Sequence, residues 1–317
     1  MTESGKPVIL MVGKLQTSVL QALEGFCQVL RWWEAKDQAA VLAEHAQDIR
    51  VVVTSAGYGV ERSLIEALPQ LALIASFGVG FDTLNVAAAH ARGIAVTTTP
   101  GVLDACVADT ALALLLCTAR RVAEADRYVR AGRWGRDRFG VGVKLGGKTC
   151  GIVGLGAIGL AIARRAEAFD MQVAYCNRKP RADVPYPYYP TPLALAQAAD
   201  FLVLALPGGA DTRHVIDRTV LTALGPAGLL VNIARGSVVD EAALVDLLEA
   251  GVLGGAGLDV FEDEPKVPAA LLGLDSVVLT PHIGSGTQET RDAMGALVVE
   301  NVAAFLSGQP LLTPLPA

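Results

Sequence analysis

The sequence predicts an α/β protein of two doubly wound, Rossmann-like domains with parallel sheets and a cleft between them. Three observations carry that prediction. Short, continuously apolar, β-branched runs alternate with helical stretches, the pattern of parallel strands covered on both faces. At 317 residues the chain is long for one core and suits two domains of roughly 100–200 residues each. Only the middle strands carry a glycine fingerprint, which sets a nucleotide-binding domain apart from the rest.

The elements follow in order. "VILMV" (8–12), "VVVT" (51–54) and "LALIAS" (71–76) are read as strands of a first domain. "CGIVGLG" (150–156), "QVAYC" (172–176), "FLVLAL" (201–206), "LLVNIA" (229–234), "GAGLDVF" (255–261) and "SVVLT" (276–280) are read as strands of a second. "PYPYYPTP" (185–192) reads as a proline-stiffened loop. The stretch "ADTALALLLCTARRVAEADRYVRAG" reads as one helix, apolar almost all round in its first half. Such a helix needs cover on more than one side, supplied either within one chain or by a homodimer partner. Its apolar segment, Thr110 to Ala119, is far short of the ~20 residues of a bilayer span, so it is read as a buried helix and not a membrane segment. Beyond the last strand, Ser285 with Gln288 makes a capping box, and helical spacing runs on to Gly308. The expected division is a substrate-binding domain of 1–98 plus 286–317 and an NAD(P)-binding domain of 99–285, with crossings near Thr99 and Gly286 that suit a hinge.

Composition removes several function classes. The chain is 52% hydrophobic and 18% charged with a net charge of -6, which gives no basic face for nucleic acid. Its five cysteines are scattered and never in CxxC spacing, so neither a disulfide framework nor a zinc site is expected. "MTESGKPVILMV" lacks the basic start and long apolar stretch of a signal peptide, and a cytoplasmic location is expected. There is no HExxH, hence no metal expectation, and no GxSxG or Cys-His motif. His45, His90 and His214 are assigned surface roles from their context.

"GLGAIG" places Gly154, Gly156 and Gly159 between a strand and a helix, with Leu155, Ala157 and Ile158 completing the loop. Such glycines allow a tight turn and bring backbone N–H groups at a helix N-terminus close to a pyrophosphate. Three later stretches carry ionisable groups to strand ends, the edge where open α/β sheets bind ligands. Arg235 follows "LLVNIA" before a helix opened by Asp240; Asp259 and Glu264 lie in "GLDVFEDEP"; His282 follows "VVLTP". Each alone is more often a solvated charge or a structural histidine, but one cation, one carboxylate and one imidazole converge on one sheet. In the first domain, "TSAGYGV" (54–60) and "ASFGVGFD" (75–82) follow strands and are read either as anion nests of successive N–H groups or as ordinary glycine turns. With a dinucleotide and neither metal nor nucleophile, the economical chemistry is hydride transfer coupled to proton transfer.

"GLGAIG", "VNIARGSVVDEAAL", "GLDVFEDEP" and "LTPHIGSGT", in that order and spacing, resemble the D-isomer-specific 2-hydroxyacid dehydrogenases over nearly the whole chain, and most of all the NADPH-dependent glyoxylate/hydroxypyruvate reductases. The resemblance implies that Arg235 binds a substrate carboxylate, that His282 is the acid/base and that Glu264 hydrogen-bonds it. It implies substrate contacts from the backbone around Val79 and Gly80, to which the nest reading of the first loop adds Ala56 and Gly57, and cofactor contacts at Pro207, Thr212 and Asp259, with Ile233, Ala234, Arg235, His282 and Gly284 beside them. Glutamate beside the histidine argues against formate as substrate, and the lack of a C-terminal regulatory domain after "LLTPLPA" argues against serine biosynthesis. The parallel for Trp134, which could reach a dimer neighbour's site, is loose. Aromatic 2-oxo acids stay open as substrates, and a nucleotide-sensing corepressor is the non-enzymatic alternative.

"AYCNRKP" (174–180) ends the strand where an acid usually accepts the ribose hydroxyls of NAD. Asn177 removes that acid's repulsion of a 2′-phosphate, while Arg178 and Lys179 offer positive charge to it. The alternative is three polar residues on a solvated loop. The expected cofactor is NADP(H), with NAD(H) as a weaker alternative.

Overall fold

The computed structural model describes residues 5–316. Residues 1–4, where the N-terminal segment read for a targeting signal begins, and residue 317 lie outside the described residues. The chain divides into two compact units, one built from the chain up to Leu103 and from Thr287 onward, the other from Asp104–Gly286.

In the first unit, β1 (Val8–Met11), β2 (Gln28–Arg31), β3 (Val51–Ser55), β4 (Leu73–Phe77) and β5 (Ala95–Thr97) form a parallel sheet ordered β2-β1-β3-β4-β5. Successive strands are joined by α1 (Thr17–Phe26), α2 (Gln38–His45), α3 (Arg62–Ala67) and α4 (Val86–Ala91). Because the chain winds outward from β1 in both directions, the order switches between β1 and β3. Leu10, Val52, Ile74 and Val96 bury one face of this sheet against Ile65 and Leu68. The strand patterns missed β2, whose residues are only half-buried at the sheet edge, and β5, which has three residues.

The second unit opens with α5 (Asp104–Ala119) and α6 (Val122–Arg130). There follow β6 (Thr149–Val153), α7 (Ala157–Ala168), β7 (Gln172–Cys176), β8 (Tyr188–Tyr189), α8 (Pro192–Ala198), β9 (Phe201–Leu204), α9 (Arg218–Leu224), β10 (Leu229–Asn232), α10 (Glu241–Glu249), β11 (Gly255–Leu258), α11 (Ala269–Leu272) and β12 (Val277–Leu279). The parallel sheet runs β12-β11-β10-β9-β6-β7-β8, so its switch point lies between β6 and β9. The last helix, α12 (Gln288–Leu306), returns to the first unit and packs on α1 and β4.

Three sequence expectations change. The single helix over 108–132 is two, because Arg121 adopts a left-handed conformation (φ 56°) and pairs with Glu124 in the first turn of α6. The apolar α5 is covered within its own unit, against α7, β10 and β11. Glycines make room for it: a Cβ at Gly257 would stand 2.9 Å from Leu114 Cβ. The cap of α12 is Thr287 and not Ser285, since the Thr287 hydroxyl accepts the Thr290 N–H (3.3 Å). Finally, "PYPYYPTP" contains β8, an edge strand between prolines that pairs with Tyr175 and Cys176.

At the amino ends of the strands, Asp200 ties the second sheet together. Its carboxylate accepts the Thr149 N–H (2.8 Å) and meets Lys148 Nζ (2.8 Å), while its carbonyl takes the Leu229 N–H (3.1 Å). Burial raises this carboxyl's pKa, but Lys148 and the Thr149 N–H outweigh burial and hold it below its ordinary value. A depressed folded-state pKa contributes stability that is present above the unfolded-chain value and lost as pH falls through the folded one. Asp200→Asn is therefore expected to cost about 1 kcal/mol at pH 7. The gap to wild type should close below about pH 4, and calorimetry from pH 7 to 3 checks both.

Candidate active site

The glycine loop is fixed by how closely backbones approach one another. Gly154 (φ 97°) leaves β6, and a Cβ there would stand 2.7 Å from the backbone of Ala205, just past β9. A Cβ at Gly159 would stand 2.2 Å from Gly154 O, so only glycine lets α7 start this close to the strand. Gly156 differs: a Cβ there meets nothing within 4 Å. Gly156 is also the N-cap of α7 without a side-chain cap, and Ala157 beside it is exposed. An open backbone at an uncapped helix N-terminus fits a pyrophosphate, which the N–H groups and the helix dipole both favour. These residues fit a dinucleotide.

The segment after β7 holds that loop. Gly154 N–H donates to Cys176 O (2.9 Å), and Leu155 N–H donates to Asn177 Oδ1 (2.7 Å). Arg178 and Lys179 are exposed beyond it. Asn177 thus has a task that composition could not reveal: a short neutral acceptor there fastens the loop without adding a negative charge. Arg181, which sequence reading passed over, donates from Nη1 to Leu155 O (2.8 Å).

Three loops meet at the carboxyl ends of β10, β11 and β12. Arg235 follows Ile233 and the buried Ala234, whose N–H donates to Asn232 Oδ1 (3.0 Å), and its Nη1 donates to Ala234 O (2.8 Å). The next residue, Gly236, is indispensable, because a Cβ would stand 1.9 Å from the Phe261 carbonyl carbon. That contact brings the arginine loop against the loop carrying Glu264. Glu264 accepts the Phe261 N–H (3.1 Å) on one oxygen and meets His282 Nδ1 (2.8 Å) on the other. Burial raises the Glu264 pKa, but His282, the Phe261 N–H and the charge of Arg235 outweigh burial and hold the carboxyl below its usual range. The run Glu262, Asp263, Glu264 is not simply a solvated acidic stretch: Glu262 meets Arg213 and His214, Asp263 meets Lys266, and Glu264 faces the histidine.

His282 itself is half-exposed and has a left-handed backbone (φ 53°). Asp259, 1% exposed, holds that turn. Its Oδ1 accepts the Thr280 hydroxyl (2.6 Å) and the Ile283 N–H (2.8 Å), its Oδ2 accepts the Gly284 N–H (2.7 Å), and its carbonyl accepts the His282 N–H (2.9 Å). Pro207 and Thr212 are joined by a 2.8 Å bond from the Thr212 hydroxyl to Pro207 O.

In the first unit, the candidate substrate loops are braced against each other. Ala56 N–H donates to Phe77 O (3.2 Å), and Gly78 (φ 130°) exchanges bonds with the buried Thr99 through its N–H (3.0 Å) and its carbonyl (2.9 Å). Ala56, Gly57, Val79 and Gly80 follow at the carboxyl ends of β3 and β4, partly open to solvent. Among the described residues, no group of three or more His, Cys, Asp or Glu could hold a metal ion, and no helix is long and apolar enough to cross a membrane.

The chain is similar over nearly its whole length to known proteins. The family model described as "D-isomer specific 2-hydroxyacid dehydrogenase, NAD binding domain" matches residues 112–284. Glyoxylate/hydroxypyruvate reductase A of Arabidopsis thaliana is 48% identical over 97% of this chain and 98% of its own length. The hydroxyphenylpyruvate reductase of Plectranthus scutellarioides is 47% identical over the same shares, 97% and 98%. The crystal structure of an NADPH-dependent glyoxylate/hydroxypyruvate reductase from Sinorhizobium meliloti, in complex with NADP and malonate, superposes with a TM-score of 0.93 at 46% identity over 98% of this chain and 97% of that one.

The Asp259 geometry makes a prediction of its own. Asp259→Asn keeps the shape but turns an NH2 toward N–H donors, leaving one unsatisfied. It is expected to lower stability by about 2 kcal/mol, checked by denaturant unfolding, and to reduce turnover by loosening the His282 turn.

Proposed function

The chain belongs to the D-isomer-specific 2-hydroxyacid dehydrogenases, and from that premise we propose that it reduces small 2-oxo acids, glyoxylate and hydroxypyruvate, to D-2-hydroxy acids with NADPH. The observation that carries this reading is the 2.8 Å contact of His282 Nδ1 with Glu264, on the sheet edge that also bears Arg235 and the open glycine loop. When bound, the nicotinamide supplies the hydride. Arg235 offers a planar fork to the substrate carboxylate and a positive charge to the carbonyl beside it. Glu264 occupies Nδ1 of His282, which leaves Nε2 to give its proton to the carbonyl oxygen as the hydroxyl forms. The backbone at Ala56, Gly57, Val79 and Gly80 supplies the remaining substrate contacts in this reading. Reduction of aromatic 2-oxo acids is the second reading, favoured by the 47% identity to a hydroxyphenylpyruvate reductase.

The preference for NADPH rests on Asn177, a neutral residue where an acid would repel the 2′-phosphate, and on the exposed Arg178 and Lys179 beside it. NAD(H) is the weaker cofactor. A cytoplasmic homodimer completes the reading, with a second copy covering the exposed side chains of Val129, Trp134 (80%) and Val141 (90%).

Steady-state kinetics with glyoxylate, hydroxypyruvate, phenylpyruvate and hydroxyphenylpyruvate, each with NADPH and NADH, test the function. Turnover on the two small acids is expected, and no turnover on any 2-oxo acid would favour a nucleotide sensor instead. His282→Ala is expected to lower kcat about 10²–10⁴-fold while NADPH still binds; activity within a few-fold of wild type sinks the mechanism. Arg178→Ala is expected to raise the KM for NADPH about tenfold or more and leave that for NADH nearly unchanged, so equal effects on the two would contradict the assignment.

A further inference from the structure

We propose that Arg181 is a positioning residue for the dinucleotide, one that locks the middle peptide of the glycine loop and does not itself read the 2′-phosphate. The proposal rests on the dinucleotide reading above. Leu155, between the first two glycines, is gripped on both sides of the chain: its N–H donates to Asn177 Oδ1 (2.7 Å) and its carbonyl accepts Arg181 Nη1 (2.8 Å). Both partners lie in the segment after β7.

Arg181 is held in place for this task. Its Nε and Nη2 reach the two oxygens of Asp183 (3.0 and 2.5 Å), which directs the guanidinium, and its own N–H donates to Tyr175 Oη (2.7 Å). Tyr175 is fully buried in β7. Arg178 and Lys179 stand exposed on the same segment, where a ligand can reach them. The segment therefore divides its cations between two tasks: two face solvent, while one is turned inward onto the loop that carries the open Gly156.

A loop gripped in this way presents the N–H groups from Gly156 to Ile158 in one arrangement, so less ordering is needed when a pyrophosphate binds. NADPH and NADH share that pyrophosphate. Loss of Arg181 should consequently weaken both by the same factor, whereas loss of a 2′-phosphate ligand weakens NADPH alone.

The test is fluorescence titration of the full-length protein with NADPH and with NADH, for wild type, Arg181→Ala, Arg181→Lys and Arg178→Ala. Hydrogen exchange of the cofactor-free protein over residues 150–160 accompanies it. Arg181→Ala is expected to weaken both cofactors about five- to twentyfold and to speed exchange in the glycine loop. Arg181→Lys, which keeps a donor, should recover part of both, and Arg178→Ala should weaken NADPH alone. A loss confined to NADPH in Arg181→Ala would make Arg181 a phosphate ligand and overturn the proposal, as would unchanged NADH affinity with unchanged exchange. Should Arg181→Ala not fold, Asp183→Ala, which only releases the guanidinium, is expected to weaken both cofactors about two- to threefold, and no effect on either overturns the proposal. Wild-type protein that bound neither dinucleotide would sink the cofactor reading itself, a result distinct from tight binding that the variants leave unchanged.

Discussion

A parallel sheet brings the carboxyl ends of all its strands to one edge, and the candidate site of the second unit depends on that constraint. β6, β7, β9, β10, β11 and β12 run in one direction, so the loops that leave them gather without needing to be neighbours in sequence. Arg235, Asp259, Glu264 and His282 are spread over 48 positions of chain yet stand on three adjacent strand ends. The opposite edge has another task, and there Asp200 fastens the starts of the strands.

Gathering the loops is not enough for the proposed reaction, because proton transfer from an imidazole needs the ring held in one orientation. Here that is done by close backbone approach and by buried charge. Gly236 lets the arginine loop touch the Phe261 backbone, and the Glu264 carboxylate spans from the Phe261 N–H to His282. Asp259 uses both carboxylate oxygens to fix the turn that carries the histidine in a left-handed backbone. A buried carboxylate with several donors is costly to disturb, since any lost partner leaves a buried charge less compensated. The histidine turn is therefore rigid while its ring remains accessible.

The same logic applies to the dinucleotide side. An acid after β7 would satisfy the Leu155 N–H as well as Asn177 does, but it would carry a negative charge into the place proposed for the 2′-phosphate. Asparagine separates the two tasks, keeping the acceptor and dropping the charge. The cations on the segment divide similarly, Arg178 and Lys179 facing out and Arg181 turned onto the loop.

The sequence by itself determined the fold class, the glycine loop between a strand and a helix and the identity of the ionisable residues at the strand ends, because period and glycine spacing are local properties of the chain. Asp240 as a helix cap was legible for the same reason, and its side chain does accept the Ala243 N–H (3.0 Å). Marginal strands were not legible: β2 is a half-buried edge and β8 is two residues among prolines, so pairing, of β2 with β1 and of β8 with β7, makes each a strand where intrinsic pattern does not. The break at Arg121 and the shift of the α12 cap to Thr287 depend on individual side-chain bonds that compete with near-equal local alternatives. Residue pattern alone did not reach the pairing of Glu264 with His282, which the family resemblance implied, and only tertiary structure decided the anchoring role of Asp259 and the tie from Arg181 to Leu155. Each joins residues from 18 to 26 positions apart, and such contacts exist only after the strands have brought their ends together.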